Sequence, residues 1–140
     1  TEELINVTAF YLAEGDIYQV SDDLARIKES VVLDETSNAF RNLYNGLFAA
    51  ITPRIVDKGY IEGFAAYNSG NLEATISLLS RVVRHDEQHV SAWFYLGRAH
   101  YRLEHFDEAI EIYTKVTELS PGTIEGRDAQ TYIDRITANQ

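Results

Sequence analysis

Val90-Ser91-Ala92-Trp93-Phe94-Tyr95-Leu96-Gly97-Arg98-Ala99-His100-Tyr101-Arg102 is followed by Leu103-Glu104-His105. Phe106-Asp107-Glu108-Ala109-Ile110-Glu111-Ile112-Tyr113-Thr114-Lys115-Val116-Thr117-Glu118-Leu119 comes next, and Ser120-Pro121-Gly122-Thr123 closes the stretch. Trp93, Leu96, Gly97 and His100 share one helical stripe, and Ala109, Tyr113, Val116 and Leu119 share another. Glu104-His105-Phe106-Asp107 leaves room for a tight turn only, so the two helices must pack antiparallel. Gly97 costs roughly 1 kcal/mol against Ala inside a helix, a cost that close approach of the second helix can offset. The expected small counterpart is Ala109. Trp93 is expected to fill the open end of the pair as core, where truncation to Ala costs roughly 3–5 kcal/mol.

The same register recurs upstream at one constant offset, i to i+34. It carries Gly63, Tyr67, Leu79 and Val82 onto Gly97, Tyr101, Tyr113 and Val116, and Gly70 and Leu72 onto Glu104 and Phe106. Ile55–Asn68 and Leu72–His85 are therefore expected as a second helical pair, with Asn68-Ser69-Gly70-Asn71 as its turn. A third pair is read over residues 2–13 and 17–31, split at Gly15-Asp16. From Gly15 to Gly70 the offset is one repeat plus 21, so an extra helix is expected over roughly 34–52. Asp34, Thr36 or Ser37 would cap it, with Phe40, Leu43, Tyr44, Leu47 and Phe48 as its apolar face. Thr52-Pro53 begins a new helix or kinks one long one. Ile124, Ala129, Tyr132, Ile133 and Ile136 mark a last helix over 124–140, whose polar residues would cap the stack.

The pattern Trp93, Leu96, Gly97, Ala109, Tyr113, Pro121 closely resembles the tetratricopeptide repeat, a unit of about 34 residues. His100 and Glu104 depart from it in this unit, and Gly59, Glu62, Thr75 and Glu87 in the preceding one. The resemblance implies an all-α, right-handed superhelical stack of about seven helices in a single domain. Its divisions would be a degenerate repeat (1–33), an inserted helix (34–52), repeats at 53–89 and 90–123, and a capping helix (124–140). It implies a non-catalytic scaffold or adaptor that binds a peptide or protein on its inner face. The Pro-Gly-Thr exit before a polar helix is similar to repeats of bacterial cell-envelope members. This suggests an alternative, a regulatory or dimerisation segment of a larger membrane-anchored protein that self-associates.

Composition narrows the function. A formal charge of −10 on 140 residues disfavours phosphate-mediated nucleic-acid binding and docking on an anionic membrane. With no cysteine there is no disulfide, thiol nucleophile or Cys-ligated metal. The lack of Met, even at residue 1, reads as a piece excised or processed from a longer chain. His85-Asp86-Glu87-Gln88-His89 places two His four apart, but Asp86 stands where a zincin requires Glu, and the segment is an inter-repeat turn. Asp22 and Asp23 read as solvated charge at a helix start rather than a catalytic pair. No catalytic constellation emerges, and neither a metal nor a cofactor is expected.

What remains is a surface. The residues turned away from the partner helices are Tyr60, Ile61, Phe64, Tyr67 and Asn68 in one repeat and Phe94, Tyr95, Arg98, Tyr101 and Arg102 in the next. They form an aromatic wall with two Arg, residue types common in binding hot spots. Arg pairs well with carboxylates, so the expected partner is a protein or peptide with an acidic group. Some of these rings, Tyr60 and Phe64 above all, are alternatively expected to pack between neighbouring units.

Overall fold

The structure, a computed structural model, describes residues 2–31 and 37–140. Among these residues it is all helix: α1 (Glu2–Leu12), α2 (Ile17–Ser30), α3 (Asn38–Asn68), α4 (Leu72–His85), α5 (Val90–Arg102), α6 (Phe106–Leu119) and α7 (Ile124–Ala138). The chain divides into two compact units, Thr1–Asp57 and Lys58–Gln140, and α3 runs through the division.

In the first unit, α1, α2 and the first half of α3 enclose Leu4, Val7, Val20, Leu24, Ile27, Phe40, Tyr44, Leu47, Ile51 and Ile55. The Tyr44 hydroxyl donates to the Leu24 carbonyl at 3.2 Å, which satisfies the one polar atom its ring carries inward. Asp16 caps α2, accepting from the Tyr18 amide at 2.9 Å. Ser37 caps α3, accepting from the Phe40 amide at 3.2 Å; Asp34 and Thr36, the other expected caps, lie outside the described residues. Asp23 accepts from Gln19 at 2.9 Å and pairs with Arg26 at 3.4 Å.

Of the two expectations at Pro53, the continuous helix is the one observed: α3 has Pro53 in its interior. Pro lacks the amide that would bond the carbonyl four residues back. Here that carbonyl belongs to Ala49, and both residues are exposed, so water can take the vacant acceptor.

In the second unit, α4 packs on α5, α5 on α6, and α6 and α5 on α7. Close approach follows the repeat register. A Cβ on Gly63 would lie 2.5 Å from the Leu79 side chain, and one on Gly97 would lie 2.8 Å from the Tyr113 ring. The counterpart of Gly97 is therefore the Tyr113 ring rather than Ala109, which is fully buried in its own right. Thr75, at the place of Ala109 one repeat earlier, is buried without loss because its hydroxyl bonds the Asn71 carbonyl at 2.9 Å.

The caps and turns repeat too. His89 Nδ1 accepts from the Ala92 amide at 3.0 Å, and one repeat later Thr123 accepts from the Gly126 amide at 3.2 Å. The two turns place Gly70 (φ 83°) and Glu104 (φ 60°) in the left-handed region. In the first unit the residue so placed is Glu14 (φ 59°), not Gly15. Gly15 instead makes room for the Phe10 ring, which a Cβ would meet at 2.4 Å. That turn is one residue longer, so the offset to the second unit is 56 before it and 55 from the caps Asp16 and Asn71 onward.

Trp93 is not enclosed as expected. It is half-buried, packed against the core of Phe94, Ala109, Tyr113, Val116, Ala129 and Ile136, and its indole N–H donates to the Glu87 carbonyl at 2.9 Å. Phe94 occupies the interior instead, at 5% exposure.

Candidate functional site

The expected wall residues all belong to the second unit, on the last turns of α3 and along α5. Helical spacing brings Tyr60, Phe64 and Tyr67 onto one face, and Tyr95, Arg98 and Arg102 onto another. Tyr95 joins the two. Its ring meets Phe64 edge-on at 5.0 Å, Tyr67 at 5.3 Å and Phe94 at 5.5 Å. Such tilted and edge contacts are the geometry aromatic rings favour. Tyr60 packs on Phe64 at 6.1 Å and on His89 at 4.7 Å. Burial raises the Tyr60 pKa, opposed by a hydrogen bond with Ser91.

The two arginines converge on Tyr67. The Arg98 guanidinium lies 5.5 Å from its ring centre and that of Arg102 5.3 Å, distances at which a cation is drawn to the ring face. Arg98 also approaches Phe94 at 5.8 Å and Tyr132 at 6.0 Å. Neither Arg forms a salt bridge among the described residues.

The wall is thus layered. Tyr67 and Phe94 are buried and serve as its backing; Phe94 touches Tyr113 of the partner helix at 6.2 Å, so it does not turn away from that helix. Tyr60, Phe64, Tyr95, Arg98 and Tyr101 are half-buried. Arg102, Asn68 and Ile61 are exposed.

Sequence reasoning missed the third side. Tyr132 of α7 stacks on Tyr113 at 5.0 Å with planes 7° apart, and meets Tyr101 at 4.8 Å. Arg135 lies over Tyr132 at 5.5 Å. The signal was present, since Phe64, Arg98 and Tyr132 occupy the same place in successive repeats, as do Tyr67, Tyr101 and Arg135. Below them the Tyr113 hydroxyl is buried without a hydrogen-bond partner, and burial pushes its pKa up.

The histidines have structural positions. His85 is buried near the end of α4, where burial and then Arg84 lower its pKa to about 4. His89 is a helix cap. His100 and His105 meet across the α5–α6 turn with Nδ1 atoms 3.2 Å apart, and burial, followed by the His105 charge, lowers the His100 pKa. Among the described residues no three His, Cys, Asp or Glu side chains gather to hold a metal, and no helix is long and apolar enough to cross a membrane.

Antiparallel helical pairs recurring at one fixed period, in contact with their neighbours in sequence, define a helical-repeat fold. The family model for the tetratricopeptide repeat matches residues 62–123, and these residues form tetratricopeptide repeats. Repeats of this family are protein–protein interaction modules on a generally non-catalytic scaffold. No curated protein matches the chain.

Proposed function

We propose that the wall formed by Tyr60, Phe64, Tyr67, Asn68, Phe94, Tyr95, Arg98, Tyr101 and Arg102, extended by Tyr132, is the inner face of the repeat stack. On it the protein holds a peptide or protein segment carrying an acidic group. The observation that carries this reading is the pair Arg98 and Arg102. In a chain of formal charge −10, both guanidinium groups rest on a tyrosine ring and neither forms a salt bridge among the described residues. A guanidinium held on a ring loses little freedom when it takes a carboxylate in its bidentate fork. The half-buried rings of Tyr60, Phe64 and Tyr95 supply apolar area beside that anchor, with few rotatable bonds to immobilise.

The test begins by selecting displayed peptides on the intact chain. Acidic residues beside an apolar or aromatic one should be enriched, and Arg98→Ala combined with Arg102→Ala should weaken the selected peptides at least tenfold. Unchanged affinity in the double variant discards the reading.

A further inference from the structure

A second groove lies on the other side of α5. Trp93 is two residues from Tyr95, about 200° around the helix, so its indole faces away from the wall. The indole lines an open cavity of about 380 Å³ with Glu87 of the α4–α5 turn and Glu111, Ile112 and Lys115 of α6. The hydrogen bond from its N–H to the Glu87 carbonyl fixes the ring in its plane. Glu87 and Glu111 are exposed, and neither they nor Lys115 form a salt bridge among the described residues. Two carboxylates against one ammonium leave the groove net negative.

The groove belongs to one repeat only. The place of Trp93 is held by Gly59 in the preceding repeat and by Arg127 in the following one, while Pro121 occupies the place of Glu87 in the next repeat. Trp93 is the residue the repeat pattern places here, whereas Glu87 departs from that pattern, so repeat packing does not call for the acid beside the indole.

We propose that this groove is a second docking site, taking an arginine or lysine side chain of a protein partner. The cation lies on the indole face, between the carboxylates of Glu87 and Glu111. Each element matches that occupant. Trp is the strongest aromatic partner for a cation, the ring is already oriented, and two acidic groups without an ion pair flank it. The site is distinct from the aromatic wall and selects the opposite charge, so it stands whether or not the wall binds an acidic peptide.

The chain has a single Trp, so its indole N–H resonance reports on this groove alone. The probe is an acetylated, amidated tetra-arginine peptide, with the neutral tetra-citrulline peptide for comparison. Tetra-arginine should shift the indole resonance saturably and tetra-citrulline should not. Glu87→Gln with Glu111→Gln should lower the affinity at least tenfold. Glu29→Gln with Glu73→Gln, exposed acids outside the groove that remove the same charge, should leave it within twofold. An indole resonance that does not move overturns the proposal, as does equal weakening in both double variants, which would assign the binding to bulk charge.

Discussion

Glu104 holds a left-handed backbone conformation, φ 60°, at the turn after α5. The equivalent position one repeat earlier is Gly70, φ 83°, the residue that adopts this conformation without a Cβ penalty. Glu104→Gly should therefore raise stability by about 0.5–1 kcal/mol in urea unfolding. Gly70→Ala should lower it by about 1 kcal/mol, since no atom lies within 4 Å of the new methyl and only backbone strain acts. His85 offers a second test. Its folded pKa, about 4, lies below the ordinary 6.5, so between those values the unfolded chain binds a proton that the folded chain refuses. Its contribution to stability is complete above pH 6.5 and is lost as pH falls toward 4, with a slope of about 1.4 kcal/mol per pH unit. His85→Gln should flatten the stability profile in that window; an unchanged profile would mean that His85 takes up its proton as readily in the fold as in the unfolded chain.

The hairpins are held by fit between elements. Gly97 sits against the ring of Tyr113, which is fully buried and stacked on Tyr132. Gly97→Ala gains about 1 kcal/mol of helix propensity but sets a methyl 2.8 Å from a ring atom that cannot swing aside. Overpacking of this kind costs about 1–3 kcal/mol. The variant should melt lower than the parent in a calorimetric scan, and α6 should lose protection from hydrogen exchange. At this scale the sequence was most legible. Apolar spacing and the repeat register locate α4, α5 and α6 because each helix repeats the same demands on the same positions. Pairings across helices were harder to read. Spacing indicates that Gly97 needs a close neighbour, but Ala109 and Tyr113 lie on the same stripe of α6, and only packing chooses between them. Spacing likewise puts Trp93 and Phe94 side by side without settling which one turns inward. Tyr132 was read only as part of the apolar stripe of the last helix, because its alignment with Arg98 and Phe64 one and two repeats earlier was not used.

At the scale of the whole molecule, the two compact units differ in how far sequence describes them. The second carries the repeat period and the family match, 62–123. The first has the same turn with one residue more and lacks the Trp and Leu of the pattern, so its helices follow from apolar spacing alone. The excess of acidic residues leaves both units net negative. It also makes the ring-seated Arg98 and Arg102 conspicuous.

The matching caps at His89 and Thr123 have an engineering consequence. α7 starts from the same kind of junction as α5, with Gly126 at the place of Ala92. A duplicate of the 90–123 block, spliced between Thr123 and Ile124, would present α7 with the neighbour it already has. Because such arrays gain stability with each added interface, the lengthened chain should unfold at higher denaturant, and its second Trp would face Pro121 where Trp93 faces Glu87. A splice that precipitates or melts lower would mean that the seam between blocks is not interchangeable.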